Sequence, residues 1–248
     1  MKKIILLLMI LVFTLFINVY FVYANDLSNS NDNTIPDSVL EKVKSKVEKS
    51  QFKLPEIRAW EIDKDGSKRE VIPKSIKNNN NLISTMGVPN DGYIYVFDHY
   101  DPNYASKNWH YASAGTYRLA NYTNTPINGT YKQLNTKQIY WNVSANVSGE
   151  TTVGNGFLAG IKLKTGVEVD RSQTWYAGKE YGVAFTVPPR TVYYLTNYQV
   201  GINSSGLLYW KKYSPSGTSW LGWYTETAGG TVIDKDDINI EVTDSEPM

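Results

Sequence analysis

A strict alternation of apolar and polar residues is the feature that most constrains how this chain can fold. In the segment TKQIYWNVSANVSG, residues 136–149, the apolar side chains fall on every second position: Ile139, Trp141, Val143, Ala145 and Val147. Successive side chains of an extended strand point to opposite faces, so this pattern predicts a strand with one buried face and one wet face. A helix would instead repeat its apolar face every three to four residues. The alternation therefore favours a sheet protein.

The same two-residue period recurs along the second half of the chain. It predicts further strands at 93–97, 116–123, 161–169 and 181–187, with a long aromatic loop over 98–115 between the first two. A long strand is predicted after the Pro188-Pro189 pair, with one face formed by Val192, Tyr194, Thr196, Tyr198, Val200 and Ile202. Asn203-Ser204-Ser205-Gly206 has turn composition and would lead into a returning strand, 207–213. The predicted fold is mainly β: an antiparallel β-sandwich or an elongated β-sheet protein with a short N-terminal helix.

That helix is predicted in PDSVLEKVKSKVEKSQ, residues 36–51, where the spacing of the apolar residues gives the one convincing helical pattern in the sequence. Ser38 and Glu41 fit a capping box, and a narrow apolar stripe follows at Leu40, Val43 and Val47. A short hairpin is predicted over 57–73, with its turn at Asp65-Gly66. The stripe is thin, so the helix must pack against another element to be stable.

The first 24 residues have the composition of a secretory signal peptide. Lys2 and Lys3 precede an apolar stretch, and Val22-Tyr23-Ala24 fits a small-x-small cleavage site. We therefore expect cleavage near Ala24 and a secreted protein, outside the cell or associated with its envelope; the alternative is an uncleaved membrane anchor.

The mature chain is predicted to have three parts. Residues 25–75 would form a polar leader, a helix and a small hairpin, either as a subdomain or as a pro-segment. Residues 76–91, with a run of four Asn, would be a linker, and residues 92–248 a β-rich domain.

Composition narrows the partners and the source. The chain carries 25 Lys and Arg against 24 Asp and Glu, so nothing in its net charge favours nucleic acid as a partner. It contains no Cys, so an exported protein of this kind is held by burial instead of disulfides, which is more typical of a bacterial chain.

No set of catalytic residues stands out in the sequence, and no cofactor is predicted. The two histidines, His99 and His110, could join Asp98 and Asp101 in a metal site or an acid–base pair. Their spacing fits no zinc pattern, however, and histidines among tyrosines often serve packing or hydrogen bonding. A carboxylate-based hydrolase stays open as well, because glycosidase chemistry needs only two acids placed by the fold.

An aromatic cluster near the end of the chain is the candidate binding site. Its members lie within fifteen residues around a loop rich in Ser, Pro and Gly: Trp210, Tyr213, Trp220, Trp223 and Tyr224. Flat aromatic faces on loops suit sugar rings, and Trp with Tyr also suits a membrane interface. The alternative is that these side chains close the end of the sheet and are buried.

Residues 136–202, including NVSANVSGETTVGNGFLAGIKLKTGVEV and the Val-Pro-Pro turn of YGVAFTVPPRTVYYL, resemble the sheet region of secreted aerolysin-like toxins of the epsilon-toxin and mosquitocidal type. The resemblance implies oligomerisation on a host membrane and insertion of a β-hairpin from each subunit. It places that hairpin at 153–169, with its lipid-facing residues at Ile161, Leu163, Val167 and Val169.

The sequence thus favours a secreted, non-enzymatic bacterial β-protein that acts by binding at a cell surface or to carbohydrate. The first alternative is an aerolysin-like pore-forming toxin, which implies a homo-oligomer, and the second is the carboxylate-based hydrolase. The expected partners are a carbohydrate, a cell-surface component or a membrane.

Overall fold

Antiparallel strands dominate the computed structural model, which describes residues 35–73 and 88–248. The predicted signal peptide lies outside the described residues, as do most of the polar leader and of the linker. The helices in the described part are α1 (Asp37–Lys49), α2 (Ala145–Ser148) and α3 (Thr151–Thr165). The mainly β class and the short N-terminal helix are therefore confirmed.

Three long strands form the centre of the molecule: β3 (Ile94–Asn121), β10 (Thr191–Tyr213) and β11 (Trp220–Pro247). At about 3.4 Å per residue, the longest of them extend for roughly 90 Å. A hairpin of β1 (Ala59–Asp63) and β2 (Lys68–Val71) extends the sheet, whose order is β2-β1-β11-β10-β3. Short strands β6 (Asn142–Val143) and β7 (Val169–Asp170) also pair with β11. Of the two predicted folds, the β-sandwich and the elongated β-sheet protein, the structure has the elongated sheet.

Two predicted loops are parts of these long strands. The segment between 97 and 116, which contains both histidines, was expected to be a loop but lies inside β3. Asn203-Ser204-Ser205-Gly206 was expected to be a turn but lies inside β10, paired on both sides. The turn prediction is wrong because Gly206 has a packing role: a Cβ there would lie 2.7 Å from the Pro102 Cα of β3.

The face of the central sheet that carries Ile202, Leu208 and Trp210 is called the back face here, and three units cover it. One is a two-stranded sheet of β4 (Ile127–Lys132) and β9 (Glu180–Val187), and the next is β5 (Lys137–Tyr140) with β8 (Ser172–Trp175). The third unit is α2 with α3. Their side chains bury three apolar clusters against the central strands.

The helix pair contradicts the strand prediction for this region. Only the first part of 136–149 is extended, and residues 145–148 are helical. Residues 161–165, expected to begin a strand, end helix α3. The buried residues Val153, Phe157 and Ile161 are spaced four apart, so they form one face of a helix that packs on Tyr100 of β3.

The opposite face, defined by Asn203, Ser205, Tyr209 and Lys211, is called the front face. We call the end of this face that carries Val192 the upper end and the end that carries Tyr209 the lower end. Helix α1 covers the upper part, where Val39 packs against Val192 and Tyr194. The helix begins at Asp37 without a side-chain cap, so the predicted capping box is wrong. Val39 and Val43 are the buried residues of α1, whereas Leu40 of the predicted stripe is 45% exposed.

Residues 50–58 form a strap that crosses the middle of the front face from β3 to β1. At one end the Asn108 amide donates to the Ser50 carbonyl at 2.8 Å. At the other end Thr227 of β11 donates through its backbone N–H to the Arg58 carbonyl at 2.8 Å. Pro55 lies over Gly229, where a Cβ would come within 2.8 Å of the proline ring. The lower part of the front face remains beyond the strap.

Candidate functional site

The lower front face carries a group of aromatic side chains that we call the aromatic patch: Trp60, His99, Tyr209, Trp220 and Trp223. The register brings them together. Tyr209 is the Cα partner of His99 on one side and of Thr225 on the other, and Thr225 is in turn paired with Trp60. Directly paired residues of antiparallel strands point to the same face, so these side chains form one surface.

Trp223 is at the centre of the aromatic patch. Its ring makes edge contacts with Tyr209, at a centroid distance of 5.9 Å, and with Trp220, at 6.1 Å. His99 stacks on Tyr209 at 4.6 Å and meets the edge of Trp223 at 6.3 Å. These contacts fix the rings against one another while their outer faces stay partly exposed; Trp220, for example, is 37% exposed.

Charged groups border the aromatic patch, and most of them are paired. Asp98 accepts from Lys211 at 2.6 Å and contacts His99 at 2.7 Å. The hydrogen bond from Lys211, followed by that from His99, lowers the pKa of Asp98, so this carboxylate is ionised at neutral pH. Arg58 forms a bidentate pair with Glu70 beside Trp60.

Lys68 is a further cation at this border, and its ammonium group lies 4.4 Å from the centre of the Trp60 ring. The surface thus combines apolar ring faces with nearby hydrogen-bonding groups and little net charge.

The predicted aromatic cluster is divided between the two faces. Trp220 and Trp223 lie on the front face, as does Tyr213, which is paired with Trp220. Trp210 and Tyr224 point to the back face and are almost fully buried in the core. For these two residues the binding prediction is wrong, because alternation along β10 and β11 turns each second aromatic ring inwards.

Three further residues of this surface, Trp60, Tyr209 and Lys211, were not predicted from the sequence. The alternation in LLYWKKY, in which Tyr209, Lys211 and Tyr213 occupy every second position, was the signal that could have found two of them. Trp60 had no such signal, because only the pairing of β1 with β11 brings it to the patch.

The histidines do not form a common site. His99 and His110 lie eleven positions apart on the same strand, which corresponds to roughly 35 Å. His110 is 3.3 Å from Glu241 and packs edge-on to Tyr198 under α1. Within residues 35–73 and 88–248, no group of three or more His, Asp or Glu side chains could hold a metal ion. The predicted cluster with Asp98 and Asp101 is therefore not assembled.

The candidate lipid-facing residues of the predicted hairpin do not share one face. Ile161 lies on the inner face of α3 and is fully buried, whereas Leu163 on the same helix is 90% exposed. Val167 and Val169 follow the helix and pack partly against the core beside it. Among the described helices, none has the length and apolar character needed to cross a bilayer.

The chain matches no protein-family model and none of the curated proteins. The solved structures that are weakly similar to it include two proteins from Bacillus thuringiensis. A non-toxic crystal protein from Bacillus thuringiensis is 9% identical, with a TM-score of 0.24 over 64% of this chain and 87% of that chain. The parasporin-2 Bacillus thuringiensis toxin that recognizes cancer cells is 14% identical, with a TM-score of 0.24 over 88% of this chain and 98% of that chain.

Proposed function

We propose that this protein is secreted and binds carbohydrate at a cell surface, without catalysing a reaction, through the aromatic patch. The observation that carries the proposal is the arrangement around Trp223. Its ring is held by Tyr209, Trp220 and His99 on a partly exposed sheet face. Aromatic rings of this kind bury the apolar face of a sugar, and the fixed geometry lowers the entropic cost of binding.

The paired charges at the border of the patch support carbohydrate as the ligand. Asp98 and Lys211 hold each other in place, and so do Arg58 and Glu70. Oriented carboxylate, ammonium and guanidinium groups accept from and donate to sugar hydroxyls. Because these charges largely compensate one another, the patch offers hydrogen bonds without a strong attraction for a polyanion such as nucleic acid.

The test is binding of the secreted form, residues 25–248, to a glycan array and to insoluble cell-wall polysaccharides. We expect Trp223→Ala and Tyr209→Ala each to weaken binding by about tenfold or more, since truncation of an aromatic residue at the centre of a binding surface costs about 2 kcal/mol or more. Tyr176→Ala is the matched control, because Tyr176 is 63% exposed but lies in the layer behind the sheet.

Two results would overturn the proposal. The first is that neither Trp223→Ala nor Tyr209→Ala changes binding to any glycan or cell wall that the wild type binds. The second is that the wild type binds no carbohydrate but releases a trapped dye from liposomes, in which case the pore-forming alternative is favoured.

A further inference from the structure

A groove lies on the same face of the sheet as the aromatic patch, farther up the molecule, and has a volume of about 540 Å³. It is formed by the end of α1, the first residues of the strap and the edge strand β3. Asn203 of β10 lines it. Tyr209 of the patch lies six residues along the same strand and on the same face, which corresponds to roughly 20 Å. A ligand that occupies both sites must therefore be extended and must pass over the strap, which crosses the front face between them.

The groove also carries exposed aromatic side chains of its own. Tyr104, which is 46% exposed, stacks on Phe52 of the strap with the two rings nearly parallel. Trp109 is 47% exposed, and the Lys107 ammonium group lies 5.1 Å from its ring centre. The groove thus offers the same kind of ring surface as the patch.

The charge of the groove differs from that of the patch. Lys49, Lys53 and Lys107 line the groove, and its lining contains no carboxylate. Lys107 is paired with Asp237. Lys49 and Lys53, by contrast, take part in none of the ion pairs formed among the described residues. Two uncompensated cations therefore stand beside exposed aromatic rings.

We propose that the groove is a second subsite that binds an anionic group, carboxylate or sulfate, of the same ligand, so that the ligand is an extended acidic glycan. This inference rests on the proposed function, since the aromatic patch holds the other sugar units. Lysine binds such groups as a point charge with three donors, and the rings of the groove cover the apolar faces of the sugar that carries them.

The experiment compares matched pairs of oligosaccharides that differ only in charge. Oligogalacturonides of fixed length are compared with their methyl esters, and heparin oligosaccharides with their desulfated forms, by titration calorimetry at low and high salt. We expect the wild type to bind the acidic member of at least one pair more tightly. A preference within the oligogalacturonide pair identifies a carboxylate, and a preference within the heparin pair identifies a sulfate. Salt should reduce the preference, because these cations are exposed.

The double variant Lys49→Gln/Lys53→Gln should lose about five- to tenfold in affinity for the acidic oligosaccharide, with little change for its neutral counterpart. The double variant Lys44→Gln/Lys164→Gln is the matched control, because it removes the same two charges from exposed positions on α1 and α3 that do not line the groove. Trp223→Ala should weaken binding of the acidic and the neutral oligosaccharide alike. The two variants therefore test anion binding by the groove and sugar binding by the patch separately.

Two outcomes would overturn the groove assignment. One is a double variant that keeps the full preference for acidic oligosaccharides while Trp223→Ala abolishes binding of both members. The other is a wild type that binds the acidic and neutral members equally, or that binds vesicles with anionic headgroups in place of acidic glycans.

Discussion

Glu226 is a carboxyl group buried in the core behind the aromatic patch. It is fully buried among the residues under α2, where Tyr224 and Asn146 donate hydrogen bonds to its two oxygens. Burial raises its pKa to about 7, although both hydrogen bonds act in the opposite direction. Desolvation therefore dominates, because the charged form loses more hydration than two neutral donors return.

This carboxyl predicts a pH dependence of stability. Its pKa is higher in the folded state, so the folded protein holds a proton that the unfolded chain releases, and stability falls as pH rises from about 4.5 to about 7. Full loss would correspond to about 3 kcal/mol. We expect Glu226→Gln, which imitates the protonated form, to be more stable than the wild type at pH 8 and to lack this slope.

The measurement is urea unfolding of both proteins at a series of pH values. Glu48→Gln, which removes an exposed carboxylate on α1, is the control. A variant and wild type with parallel stability curves across this pH range would show that Glu226 is not the group responsible.

At the scale of the element, α3 shows why a helix replaces the expected strand. Three glycines, Gly154, Gly156 and Gly160, let the helix lie close to neighbouring side chains and backbone. At Gly160 a Cβ would come within 2.5 Å of the Tyr100 carbonyl oxygen of β3. The alternation at 161–169 suggested a strand, but residues 153–161 bury a helical face, and this contact surface decides the conformation.

This close contact predicts the effect of Gly160→Ala. Alanine favours a helix over glycine by about 1 kcal/mol, but the added methyl group would displace α3 from a backbone atom that cannot rotate away. A clash with backbone puts the packing cost near the upper end of the usual range of about 1–3 kcal/mol, so after the gain in helix propensity we expect a net loss of about 1–2 kcal/mol in the free energy of unfolding, measured with urea.

Gly182→Ala is the matched control, since a Cβ at Gly182 meets nothing within 4 Å and its φ is not left-handed. It should change stability by less than about 1 kcal/mol. Equal stability of the two variants would contradict the packing role assigned to Gly160.

At the scale of the whole molecule, the central sheet joins segments that are far apart in sequence. β10 pairs with β11 across the short connection 214–219, but it also pairs with β3, from which it is separated by residues 122–190. Closing that separation costs chain entropy before the contacts form. The β10–β11 hairpin is therefore the local part of the sheet, and β3 is its long-range part.

We accordingly expect refolding from urea on a timescale of milliseconds to seconds, as for other proteins dominated by non-local strand pairing. Stopped-flow tryptophan fluorescence measures it, and a double-jump experiment with and without a prolyl isomerase removes the contribution of the Pro residues. A main phase in the microsecond range would contradict the long-range pairing of β3 with β10.

The alternation by itself determined that this is a mainly antiparallel β-protein, because the period of apolar residues reports directly which faces are buried. That the sheet is elongated follows from the pairing of its three long strands. Helix α1, the β1–β2 hairpin and strand β9 could likewise be predicted, since their signals are local. Tertiary structure decided the rest. Asn203–Gly206 and the segment around Pro102 are extended because the neighbouring strands pair with them, although their own composition favours turns. Whether an aromatic ring is displayed, like Trp223, or buried, like Trp210, depends on which layer covers each face of the sheet, and no local pattern encodes that layer.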